Sequence, residues 1–271
     1  MSILYTHVAP DVDAAASVWA ARKYMGATSF ELRLVPAGWN GNELTDDDIA
    51  VDIVAGGRGI KGKEAGSAFK AIMETHAPKE DRDAIWWLIE YVTIQDSHGS
   101  VVRHLVPEAT SKTVAILSGS SLNSVLQVLK REFSTHEEWI QAVGRIFSAL
   151  LEEGQSRLRG EKEAERATWF GSVAVIKNSD EPSASSHLFG KGAIVVVYAD
   201  GLNLGAVRRA DQPNVRLNDP RIMAVIPEDE RPKWFAHEDG FLLACGTRKS
   251  PATEASRVTP EELALAISAT L

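Results

Sequence analysis

The chain has 271 residues, 44% hydrophobic and 24% charged, which is ample material for two domains with their own cores and is not the composition of a disordered chain. A formal charge of −8 argues against a broad footprint on nucleic acid or an anionic membrane, since that binding depends on Lys and Arg meeting phosphates. The single cysteine, Cys245, excludes an internal disulfide and a structural Cys-based zinc site; with no run near the ~20 apolar residues that span a bilayer, a cytoplasmic protein is expected.

Residues 2–6 (SILYT) read as a short buried strand and 13–25 as a helix, so His7, Asp11 and Asp13 fall in the turn between them. The carboxyl end of a strand facing the amino end of a helix is where open α/β sheets place ligands. An imidazole and two carboxylates in that turn can converge on one divalent cation such as Mn²⁺ or Zn²⁺. A plain helix cap accounts for one of the aspartates. Residues 30–36 alternate as a half-exposed strand does, 38–48 form a polar loop, and 49–54 (IAVDIV) read as a buried strand carrying Asp52. An aspartate there needs a partner: a shared metal, or the backbone amides of the glycines that follow.

From Gly57 to Lys63 the sequence matches the G-x-x-x-x-G-K part of a phosphate-binding loop, but Glu64 stands where that motif needs a hydroxyl, and a carboxylate beside phosphates is repulsive. A helix is expected over 66–74 and another over 80–95, ending at Gly99 with Asp96 and His98 in its last turn. His98 there also suits the helix dipole without any ligand. An amphipathic helix covers 121–133, and Ser134-Thr135-His136-Glu137-Glu138 carries the start signal of a long one, whose end, 157–166, is a dense mixed-charge run. Strands are expected at 172–176, 193–198, 202–208 and 240–245, with helices at 219–223 and 260–269. The expected architecture is α/β: a parallel-sheet amino-terminal domain with flanking helices (1–135), a linker helix (136–166) and a smaller α+β domain (167–271).

The stretch THVAPDVDAAAS resembles the first motif of the DHH phosphoesterases, His-x-x-x-Asp-x-Asp-Ala, with Asp52 where their second-motif aspartate falls and Asp96 at the fourth. The later layout, with WFAHEDGF near the end, is similar to the metal-dependent hydrolase and exonuclease branch, which has a Phe-Val-His...Gly-Phe segment there. The Asp-His-His triplet that names the family is replaced by Gly59-Ile60-Lys61-Gly62-Lys63. The resemblance implies one metal ion, manganese, on His7, Asp11 and Asp52, and a damaged second site with Asp13 and Asp96 as remaining ligands. Lys61 and Lys63 are the nearby cations able to replace part of the missing charge.

The function so implied is hydrolysis of a phosphodiester or nucleotide, with Asp13, Asp96, Lys61 and Lys63 catalytic and His98, His237, Gly240 and Arg248 binding a small phosphorylated substrate or short nucleic acid. His237 and Arg248 offer phosphate donors, and glycines permit close backbone approach; the bland reading is a structural histidine beside a turn and a surface cation. The alternative function is a non-catalytic relative that binds a nucleotide or other phosphorylated ligand as sensor or partner. A homodimer is compatible with either.

Overall fold

The structure is a computed structural model that describes residues 2–62, 64–179, 181, 183–247 and 249–271. The chain divides into two compact units, Met1–Gln155 and Ser156–Leu271. It is an α/β protein, with a three-stranded parallel sheet in the first unit and a separate mixed sheet in the second.

In the first unit β1 (Ile3–His7) is central, flanked by β2 (Glu31–Val35) and β3 (Ile49–Ala50), both parallel to it. The connection from β1 to β2 runs through α1 (Val12–Tyr24), while β3 lies on the other side, so strand order reverses at β1 and opens a crevice at the strands' carboxyl ends. In α1 every residue from Val12 to Ala21 is buried, which its run of alanines permits by letting neighbours approach closely. It packs on α2 (Ala68–His76) and α4 (Trp86–His98). Trp19 sits between Phe69 and Phe147, with ring centroids 6.1 and 5.7 Å away, and its indole donates to Ser148 Oγ at 3.0 Å.

The helix expected over 80–95 is two: α3 (Lys79–Ala84) and α4 meet at Ile85, whose ψ of 25° breaks the helical run so that both Ala84 and Ile85 can be buried. After α4 come α5 (Val101–Leu105), α6 (Ser111–Gly119) and α7 (Leu122–Lys130). The long helix α8 (His136–Ala164) starts at the expected signal: Thr135 Oγ1 accepts from the Glu138 amide and Glu138 Oε2 accepts from the Thr135 amide, both at 3.2 Å. The division between the units falls within α8.

The second unit holds β4 (Thr168–Phe170), β5 (Val173–Lys177), α9 (Ala184–Gly190), β6 (Val195–Asp200), β7 (Asn203–Arg208), α10 (Pro220–Met223), β8 (Phe235–Ala236), β9 (Leu242–Cys245) and α11 (Pro260–Ser268). Its six strands run β4-β5-β6-β7-β9-β8, with only the β5–β6 pair parallel. The period-two rule appears in its cores: Val173, Val175, Val195 and Val197 pack with Leu263 and Ile267 of α11, while Ala174, Ile176 and Val196 pack with Ala184 and Leu188 of α9. Among the described residues no helix is long and apolar enough to cross a membrane.

Candidate functional site

The crevice at the end of β1 is lined by the residues that the first turn supplies. His7 is the last residue of β1, and Asp11 is the N-cap of α1, its Oδ1 accepting from the Ala14 amide at 3.0 Å. The cap uses one oxygen and leaves the other available. Asp52 lies two residues past β3 and is 4% exposed, with His7 Nε2 3.0 Å from its Oδ2 and Lys61 Nζ donating to its Oδ1 at 2.9 Å.

One ligand atom from each of His7, Asp11 and Asp52 lies within 4.8 Å of the others. Donors at about 2.1 Å from one ion stand about 3 Å apart when adjacent and about 4.2 Å when opposite, so modest side-chain closure completes the site. An imidazole nitrogen with two carboxylate oxygens suits Mn²⁺ or Zn²⁺ better than Ca²⁺, which prefers oxygen throughout. The residues present therefore fit a divalent ion.

Asp52 is held where it is by an unusual backbone. The strand expected to 54 stops at Ala50, because Asp52 (φ 52°) and Ala55 (φ 44°) adopt left-handed conformations. Both cost energy in non-glycine residues, and Asp52 bears that cost at the site itself. The loop that follows turns back on itself: Val51 bridges Ile60, the Asp52 amide donates to Ile60 O at 2.8 Å, and Ile60 donates to Ala50 O at 2.8 Å. Gly59 is obligatory there, since a Cβ would lie 1.9 Å from Ile53 O. This register brings Lys61 beside Asp52.

The same bonds dispose of the phosphate-loop reading. The amides of Gly57, Arg58 and Gly59 donate to Val54, Ala55 and Val54, so they cannot cradle a phosphate, and the start of α2 is occupied. Its occupant is Asp13, whose two oxygens accept from the Ala68 and Phe69 amides at 3.0 Å each. Asp13 is thus a cross-helix cap, 2% exposed, and burial followed by the nearby Asp52 charge pushes its carboxyl up to about 7.

The remaining predicted residues divide into those the structure brings to the crevice and those it does not. The Asp96 carboxyl, in the last turn of α4, is raised from its ordinary value by burial and then by the charges of Asp52 and Asp11, against Lys61 and His7. Burial pulls the Lys61 amine down, but the Asp52 hydrogen bond and the charges of Asp52, Asp96 and Asp13 outweigh it and hold the ammonium. The Asp52 hydrogen bond likewise raises His7 despite burial. His98 turns elsewhere, its Nδ1 2.7 Å from Ser97 Oγ and its ring 4.2 Å from His104.

Lys63 and Arg248 lie outside the described residues. His237 sits in the turn between β8 and β9, its Nδ1 accepting from the Asp239 amide at 3.1 Å and its ring 4.2 Å from Phe241. Gly240 has a packing cause within its own unit, for a Cβ would meet Asn218 Oδ1 at 2.8 Å. A cavity of about 630 Å³ in the second unit is bordered by Phe235, Cys245, Gly246 and Thr247 rather than by His237 or Gly240.

Two further residues secure the site loop. Lys130 donates to Pro10 O at 2.6 Å with its ammonium 4.8 Å from the Trp139 ring, and His136 Nδ1 donates to Val8 O at 2.7 Å. Both lie more than a hundred residues along the chain from the loop they hold, so no local spacing announces them.

No protein-family model and no curated protein matches the sequence. Solved structures similar to this chain include PggH, a pGpG-specific phosphodiesterase from Vibrio cholerae, at 10% identity and a TM-score of 0.30, covering 93% of this chain and 94% of that one. An exonuclease RecJ bound to manganese matches at 9% identity and a TM-score of 0.33, covering 99% and 89%. RecJ with Mg²⁺ from Thermus thermophilus matches at 12% identity and a TM-score of 0.35, covering all of this chain and 50% of that one. At these identities and TM-scores the likenesses carry nothing to the site, whose chemistry rests on its own residues.

Proposed function

We propose that the chain is a metal-dependent hydrolase of phosphoester bonds, acting on a phosphodiester or nucleotide with one ion, Mn²⁺ by its donor set, on His7, Asp11 and Asp52. The observation that supports it is the convergence of these three side chains, within 4.8 Å, at the switch point of a parallel sheet. A bound divalent ion supplies Lewis-acid charge to a phosphoryl oxygen. The chain's own groups do the rest. Lys61 Nζ, with one donor beyond the two given to Asp52 O and Oδ1, pairs with a phosphate oxygen as negative charge grows there. Asp96, its carboxyl raised by burial and by the Asp52 and Asp11 charges, is the proposed proton donor to the leaving oxygen. Asp13 holds α2 against α1 and so fixes the crevice wall. In the second unit, His237 accepts at Nδ1, so the neutral ring carries its proton on Nε2 and can donate it to a phosphate oxygen, with Arg248 as a second proposed donor.

The experiment is hydrolysis of bis(p-nitrophenyl) phosphate by the Mn²⁺-loaded protein and by Asp11→Asn and Lys61→Met. Activity in the wild type that drops at least about a hundredfold in both variants is expected. A second reading, a phosphate-ligand sensor without catalysis, is favoured by the ammonium already lodged on Asp52. Tight nucleotide binding with no turnover in any metal would select that reading and overturn the hydrolase.

A further inference from the structure

Val8, Ala9 and Pro10 separate His7 from Asp11, and the backbone of this short span sets where those two side chains point. A peptide unit is planar, so holding one of its polar atoms fixes the orientation of the whole unit. The unit joining His7 to Val8 is held by β2, with the Val8 amide donating to Val35 O at 2.9 Å. The unit joining Val8 to Ala9 is held by His136, whose Nδ1 donates to Val8 O at 2.7 Å. The unit joining Pro10 to Asp11 is held by Lys130, whose ammonium donates to Pro10 O at 2.6 Å. The pyrrolidine ring fixes φ of Pro10 but leaves ψ, and with it the carbonyl, free. Lys130 supplies that restraint. It is itself restrained, for its ammonium stands 4.8 Å from the ring of Trp139, which is fully buried with its indole donating to Leu126 O at 2.9 Å.

We infer that Lys130 and His136 are positioning residues of the metal centre, setting through the backbone of Val8 and Pro10 the separation and aim of His7 and Asp11. This rests on the proposed ion at His7, Asp11 and Asp52 and adds the groups that fix its affinity. Neither acts as a ligand: an ammonium has donors only, and the His136 Nδ1 is spent on Val8 O. Groups that orient a metal's ligands change its affinity about ten- to a hundredfold when removed. Removing the ammonium also takes a positive charge away from the neighbourhood of a cation, which by itself would tighten binding. Positioning and charge therefore give opposite signs for Lys130→Met.

The test is Mn²⁺ affinity, read by the electron paramagnetic resonance of free Mn²⁺ during titration of the wild type, Lys130→Met, Lys130→Arg and His136→Phe, with urea unfolding of each measured without metal. The expected result is binding weakened about tenfold in Lys130→Met and in His136→Phe, which keep a stem and a ring but lose the donor. Lys130→Arg should stay near the wild type, because a guanidinium can meet Pro10 O and the Trp139 face together. If either of the weakened variants does not fold, the other carries the same expectation. Wild-type affinity in Lys130→Met and His136→Phe, even with a lowered urea midpoint, would reduce both residues to structural contacts and overturn the inference while leaving the metal site standing. Tighter binding in Lys130→Met would overturn it as well, and no ion in the wild type would overturn the metal site and the positioning role with it.

Discussion

At the scale of single residues, the two aspartates of the first turn look alike in sequence and do different work. Asp11 gives one oxygen to its own helix and leaves the other available; Asp13 gives both to the start of α2. Asp13→Ala should therefore cost about 2 kcal/mol in urea unfolding, because two buried amides lose their acceptor, while Mn²⁺ stoichiometry stays at that of the wild type. A variant that unfolds normally but loses the ion would make Asp13 a ligand and not a cap. Cap and ligand share the same Asp-x-Asp spacing, which is why the sequence could mark both residues but not divide their roles. The partners of Asp13 lie 55 and 56 residues away.

Elements were legible where hydrophobic period and caps agree. The start of α8, the strands β5, β6, β7 and β9, and α11 with its Thr259 capping box all lie where the pattern puts them. Short pieces escaped it. α5 and α6 have no buried residue and so write no apolar period, and the apolar run 49–54 outlasts β3 because such a run does not reveal the left-handed turn at Asp52. The loop from Val51 to Lys61 is the element on which the site depends most. Gly59→Ala should destabilise the first unit by about 3 kcal/mol, since the Ile53 carbonyl blocks the added methyl and the Ile60 bridge must open. Equilibrium unfolding followed by tryptophan fluorescence checks this; an unchanged midpoint would mean the loop is not locked as described.

In the second unit a separate electrostatic element ties the segment after α10 to the start of α11. Glu230 is little exposed and accepts from the Arg257 guanidinium and amide and from Ser256 Oγ, which holds its carboxyl down from 4.5 to about 2. A depressed acid stabilises the fold above its unfolded pKa, and that contribution fades as pH falls from about 4.5 toward 2. Glu230→Gln should lower stability at pH 7 and flatten the pH dependence between those limits, as measured by urea midpoints at several pH values. A variant with the wild-type acid profile would show that this pair does not govern it.

For the molecule as a whole, the two-unit α/β architecture follows from the change in pattern along the chain, alternating strands and helices first and a mostly antiparallel sheet later. Less legible was the clamp on the site loop, which Lys130 and His136 supply from helices far along the chain. Such contacts depend on packing and have no local signature. The central claim is that His7, Asp11 and Asp52 hold a divalent ion, and Asp11→Asn tests it most directly, because asparagine caps a helix about as well as aspartate but lacks its charge. Mn²⁺ titration of the two proteins should give about one ion per wild-type chain and an affinity at least about tenfold weaker in Asp11→Asn, at equal stability without metal. Equal affinity in the two proteins, or no ion bound by the wild type, would contradict it.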